Sequence, residues 1–201
     1  GLWTGDTAWD GNSAKAALES FLQVMEYTNS DRAALTNIDA ARYVAEERAA
    51  MTVMGDWVHG YYLSIGLTPN EEYGWAAFPG TAGNFLMLSD TFGLPQDVPN
   101  PENVERWLTL IASREGQDAF NPIKGSISAR TDADRSLYDE YLLSAMDDFG
   151  TDTIVPSVAH GAAASESWVT RINDVVNALV NSGDFDDAAE EFQELAEQYA
   201  R

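Results

Sequence analysis

The chain has 201 residues, 45% of them apolar, which is material for one or two domains with a buried core. Its 33 acidic residues against 11 lysines and arginines leave a formal charge of -22, which argues against nucleic acid or an anionic membrane surface as a partner, because each is gripped by a basic patch. With no cysteine, thiol nucleophiles, disulfides and thiolate metal sites are excluded together. In chain order, Asn12 and Ser13 offer a cap, and Ala17, Leu18, Phe21, Leu22 and Met25 predict a helix to about Thr28. A second helix is expected from Asp39 to Ala49, leading into Ala50–Met54, an apolar run read as a buried strand ended by Gly55. Residues 56–63 then read as a helix starting at a strand end, an α/β pattern. Strands are expected over Tyr73–Phe78 and Phe85–Leu94, joined by the turn chemistry of Pro79–Gly83. Pro101 marks a helix start with Val104, Trp107, Leu108 and Ile111 on its apolar face, and the chain is expected to break at Asn121-Pro122. A helix from about Asp132 to Phe149, a strand over Thr153–Val155, and helices near Ala163–Val180 and Phe185–Tyr199 complete the reading.

The fold class expected is α/β with helix predominating and a small sheet. No apolar run is long enough to span a bilayer. The opening residues Gly1-Leu2-Trp3-Thr4 lack the regions of a signal peptide, so the chain is expected to be cytosolic or a mature or truncated exported product. Only two lysines occur, Lys15 and Lys124, beside nine arginines. The acids are interleaved with apolar residues along the whole chain, so they read as a solvated acidic surface, whose self-repulsion is tolerable in concentrated salt. A high-salt habitat follows as an expectation.

The common catalytic motifs are missing: no HExxH, no phosphate loop, no GxGxxG and no GxSxG. Two histidines, His59 and His160, are too few for a three-histidine zinc site, and nothing local supports a Ser-His-Asp triad. The acidic run from Asp184 to Glu191 lacks the central glycine of a calcium loop and reads as a helix N-terminus. With so many acids, a chance pair suited to glycoside hydrolysis is uninformative. The six tryptophans carry more, because flat rings suit the C–H faces of sugars while hydroxyls need fixed donors and acceptors. Trp107 and Trp168 are expected in the core, whereas Trp57, after a strand-ending Gly-Asp, is open to either core or ligand. Lys124 is expected in the Pro- and Gly-rich loop Asn121–Ser126, His160 follows a strand exit, and Asp90 interrupts the apolar run from Phe85 to Phe92, where a carboxylate needs partners or a cleft.

Five segments in order, AARYVAEERAAMTVMGDW, YGWAAFPGT, FLMLSDTFGLP, NPENVERWLTLIASREGQDAFNPIKGSISAR and VPSVAHG, resemble the C-terminal half of the extracellular sugar-binding proteins of ABC importers, the family that includes glucose- and maltose-binding members. The resemblance implies a class II periplasmic-binding-protein-like fold, with the ligand between two hinged lobes and the closed form recognised by a membrane permease. It assigns Trp57 as stacking platform and Asp90, Lys124 and His160 as hydrogen-bonding partners of a glucose-like sugar, with no cofactor, no metal and no covalent chemistry. It also implies an extracellular, monomeric receptor, lipid-anchored through a segment not in this chain. Family members are substantially longer. The resemblance therefore places residues 1–82 and 125–201 in the C-terminal lobe and makes 83–124 a crossover segment of an N-terminal lobe whose first half is missing. Ser128 departs from the proline common after the KGSI stretch of glucose-type relatives. A carbohydrate-active enzyme, or an accessory carbohydrate-binding domain, is the alternative reading.

Overall fold

The computed structural model describes residues 7–199; the Gly1-Leu2-Trp3-Thr4 reading lies outside them. Contacts divide the chain into two compact units, one of residues 1–30, 86–89 and 155–201, the other of 31–85 and 90–154. These boundaries fall at different places from the 82/83 and 124/125 breaks expected from the sequence, and residues 90–124 group by contact with 31–85.

In the first unit, α1 (Asn12–Met25) packs with the hairpin of α7 (Glu166–Ser182) and α8 (Phe185–Tyr199). The hairpin turns at Gly183, whose φ of 75° lies in the left-handed region that glycine enters without a Cβ penalty. Helical spacing aims Trp168, Val175 and Leu179 of α7 at Phe192, Leu195 and Ala196 of α8, and Trp9 closes this apolar core. Trp168 is buried as expected. The acidic run at 184–191 is the beginning of α8, where the Asp184 carboxylate accepts from the Asp187 N–H. Lys15 of α1 reaches Asp186.

The second unit is built on α2 (Asn37–Ala45), α3 (Trp57–Ser64), α4 (Pro101–Ala112), α5 (Arg114–Lys124) and α6 (Glu140–Thr151). A capping box starts α2: the Thr36 hydroxyl accepts from the Asp39 N–H, and the Asp39 carboxylate accepts from the Thr36 N–H. Its apolar cluster is smaller, with Ala41, Val58 and Tyr62 buried and Val44, Met54, Trp57 and Tyr73 around them.

Two short strands, β1 (Asn84–Met87) and β2 (Thr153–Pro156), form a two-stranded sheet. The Thr153 N–H donates to Gly83 O and the Ser157 N–H to Met87 O; both partners advance by four residues, so the strands run parallel.

Several expectations are corrected. Residues 50–55 form no strand, and Met51 is 85% exposed, because no ladder partner lies beside them among the described residues. Residues 73–78 hold only an isolated bridge between Pro69 and Tyr73, and the strand expected to Leu94 stops at Met87. No residue of α4 is buried, and Trp107 is 46% exposed instead of in a core. The helix expected from Asp132 starts later, at Glu140, where Asp139 caps it. Helix α5 passes through Pro122 to Lys124 and does not break at Asn121. Its end is pinned by buried Asn121, whose side-chain amide donates to Gln117 and whose backbone carbonyl accepts from the N–H groups of both Gly125 and Ser126. Pro122 lies in the last turn of α5, so its missing N–H removes one intrahelical bond close to the helix end.

Candidate functional site

The residues singled out in the sequence that fall in the second unit gather around the junction of α3 and α5. Trp57 opens α3, and its six-membered ring lies against Gly55, where a Cβ would come within 2.1 Å of ring carbon Cζ3. The ring is half-buried and also touches the apolar cluster of α2 and α3, so Trp57 has a packing role. Lys124 is the last residue of α5, not a loop residue as expected, and Gly125 ends the helix at a φ of 80°. The Lys124 ammonium lies 2.9 Å from Asp90 Oδ2. Asp90 itself is exposed and stands beyond the end of β1, so the expectation of a carboxylate within a buried strand is corrected; solvent and Lys124 supply what it needs.

Sequence reasoning missed three contributors. Asp56 precedes Trp57, and burial pushes its carboxyl above the usual carboxylate range, opposed by the nearby positive charge of Lys124 and reinforced by the negative charge of Asp90. The Asp56 carboxyl therefore lies within electrostatic reach of both Lys124 and Asp90. Gly60 and Gly125 are the other two: a Cβ on Gly60 would lie 2.3 Å from the Lys124 carbonyl oxygen, and one on Gly125 would lie 2.4 Å from the Gly60 nitrogen. The sequence held a partial signal: a glycine inside a helical stretch calls for a packing reason, and the one directly after the lysine marks a helix end.

Deeper in the same unit, His59 is 3% exposed. Its Nδ1 lies 2.7 Å from the Tyr73 hydroxyl, and its ring meets that of Tyr141 at 4.4 Å. Its Nε2 is 2.7 Å from an Asp139 oxygen that sits off the line of the N–H bond, an electrostatic contact more than an aligned hydrogen bond. The carboxylate favours a proton on Nε2, which leaves Nδ1 to accept from the Tyr73 hydroxyl. Burial lowers the His59 pKa, and Asp139 opposes that shift. Burial likewise raises the Tyr73 phenol to about 12 and pushes Tyr141 up. Trp75 donates from Nε1 to the Ser144 hydroxyl at 3.2 Å, tying the 73–75 segment to α6. These contacts hold α3 to α6 and so fix the turn that carries Asp56 and Trp57.

His160 belongs to the first unit, in the turn between β2 and α7. The buried Ser157 hydroxyl lies 2.9 Å from its Nδ1 and orients the ring. An open depression of about 360 Å³ lined by Val98, Pro99, Asn100, Asn103, Val104 and Trp107 includes none of the four residues singled out in the sequence. Among the described residues, no helix is long and apolar enough to cross a membrane, and no three His, Cys, Asp or Glu side chains gather as a metal site.

An indole, an ammonium and carboxylates thus lie near one helix junction, side-chain types that can pack against, donate to and accept from a polar molecule. The family described as bacterial extracellular solute-binding protein matches residues 1–118. An uncharacterized ABC transporter extracellular-binding protein of Pyrococcus horikoshii is 39% identical over 189 residues, covering 93% of this chain and 42% of that protein. The xylose/arabinose-binding protein XacG of Haloferax volcanii is 29% identical over 163 residues, 78% of this chain and 36% of its own length. A probable sugar-binding periplasmic protein of Brucella suis is 33% identical over 148 residues, 71% of this chain and 35% of its own. The chain belongs to the bacterial extracellular solute-binding protein family, whose periplasmic-binding-protein-like fold accords with the helix-rich architecture and its small sheet. It spans less than half the length of these curated relatives.

Proposed function

We propose that the chain is part of an extracellular receptor that binds a sugar and delivers it to the permease of an ABC importer. The observation that carries this reading is the placement of Lys124, paired with Asp90 and sensed by Asp56, against the helix that begins with Trp57, in a chain whose relatives are named for sugar binding or ABC transport. Trp57 supplies the stacking face, Lys124 donates to sugar hydroxyls, and Asp90 and Asp56 accept from them. For His160, the support is the resemblance and the Ser157 contact that orients its ring.

The finer reading is a class II receptor for a glucose-like sugar, of which this chain is mostly the C-terminal lobe. The segment 83–124 belongs in this reading to the crossover into the other lobe. The exposed Trp107 and the lack of any buried residue on α4 fit a surface that further chain covers in the complete receptor. The receptor is monomeric and tethered to the cell surface by a lipid, and its excess of acids suits concentrated salt. Binding closes the hinge, the closed form engages the permease, and the sugar is released unaltered.

A tryptophan-fluorescence titration of the complete receptor in molar salt tests this, with glucose, galactose, mannose, maltose, trehalose, xylose and arabinose as ligands. Saturable change with one or two sugars, recovered intact after prolonged incubation, is expected. No response from folded protein, or consumption of an oligosaccharide, contradicts it.

A further inference from the structure

A glycine inside a helix is unfavourable relative to alanine, so one that persists in the middle of an eight-residue helix calls for a packing reason. For Gly60 of α3 the reason is specific. The atoms its Cβ would strike belong to the backbone of Lys124 and its neighbour: Lys124 O at 2.3 Å, Lys124 C at 2.7 Å and Gly125 N at 3.0 Å. The contact is reciprocal, since a Cβ on Gly125 would meet Gly60 N at 2.4 Å, Gly60 Cα at 2.7 Å and the Asp56 carbonyl oxygen at 3.1 Å. Gly125 is doubly constrained, because its φ of 80° already selects glycine. Two backbones thus meet without any side chain between them, at the residue that carries the ammonium and one turn along the helix from Trp57.

We propose that Gly60 and Gly125 form a positioning lock that sets the distance between the Asp56–Trp57 turn and the Lys124 ammonium, and thereby the fit of the ligand. The inference rests on the sugar-receptor reading for its ligand, while the lock itself is a property of the protein. An alanine at 60 forces the Lys124 backbone back by about 1 Å to reach ordinary carbon contact distance. The Lys124–Asp90 pair, now at 2.9 Å, must then stretch or re-aim. Neither glycine touches the ligand in this account; both act through Lys124.

The scarcity of lysine makes the lock directly observable. With only Lys15 and Lys124 in the sequence, a chain labelled at the lysine ε-carbons gives two side-chain NMR signals, assigned by the one lost in Lys124→Met. Gly60→Ala is expected to move the Lys124 signal and to leave that of Lys15, which is paired with Asp186 in the other unit, in place. An unmoved Lys124 signal in folded Gly60→Ala overturns the lock. Because that variant can fail to fold, the unsubstituted chain provides a second test: a proton Overhauser contact between the Gly60 α-protons and the Gly125 amide is expected, and its absence overturns the proposal equally.

The ligand arm uses the complete receptor and whichever sugar saturates it. Gly60→Ala is expected to weaken that sugar at least tenfold in the wild-type background and less than twofold in the Lys124→Met background. Equal losses in both backgrounds would mark a merely structural glycine and overturn the positioning role. A receptor that binds no sugar at all defeats the functional reading, and the lysine signals still decide the lock.

Discussion

The two units reach order by different means. In the first, α7 and α8 bury Val175, Leu179, Phe192 and Leu195 against one another, and the buried groups are almost wholly apolar. In the second, the buried set includes His59 and Asn121, the apolar cluster is small, and α3 is held by a histidine with its carboxylate neighbour on one side and by glycine on bare backbone on the other. Apolar burial tolerates small shifts, because its energy follows area. Polar pairs and backbone contacts are sensitive to geometry and suit the surface proposed here, on which Trp57, Asp56 and Lys124 keep fixed spacing.

The contrast can be broken most forcefully in the first unit. Phe192→Ala removes a buried ring packed at 5.3 Å against Trp9 and is expected to cost about 3 to 5 kcal/mol in denaturant unfolding. A loss below about 1 kcal/mol, small for a core truncation, would show that this core is not where the unit's stability lies.

A smaller effect sharpens the role of His59. Its pKa is lowered in the folded protein, so the unfolded chain takes up its proton first as pH falls. Stability is therefore lost on acidification below the ordinary histidine range of about 6.5, and is fully retained above it. His59→Gln is expected to flatten this part of the stability profile relative to the wild type. Parallel profiles for the two proteins would remove His59 from the account.

Asp56 carries the opposite sign. Its carboxyl pKa is raised, so its contribution favours the folded state below the ordinary carboxylate range and is lost as pH rises through the folded value. At neutral pH its charge is borne at a cost. Asp56→Asn should then raise the thermal midpoint slightly at pH 7 while weakening sugar binding. A lowered midpoint would show that the carboxylate is better satisfied than its burial implies.

The legible parts of the sequence were those in which one physical signal dominates. Helices α7 and α8 show uninterrupted apolar periodicity and nothing competes with it, so their expected and observed limits nearly agree. The strands were over-read for a physical reason: apolar runs such as Ala50–Met54 have β character, yet a strand exists only where a partner supplies a ladder, and pairing is not written in either segment alone. Trp107 was expected inside because amphipathic spacing names a face without naming what covers it. At the site, the residue types of Trp57, Asp90 and Lys124 were readable, and so was the family. The pairing of Asp90 with Lys124 and the glycine contact beneath them depend on approaches between segments far apart in the chain, which spacing cannot show.

The most direct measurement of the central claim is a calorimetric titration of the complete receptor with its best sugar, comparing the wild type with Trp57→Ala and Lys124→Met. The account predicts that Trp57→Ala loses about 1 kcal/mol or more of binding free energy through the missing ring face. Lys124→Met is expected to lose about 1 to 3 kcal/mol through the missing donor. Unchanged affinity in both variants, with folding intact, would contradict the assignment of the α3–α5 junction as the sugar-binding surface.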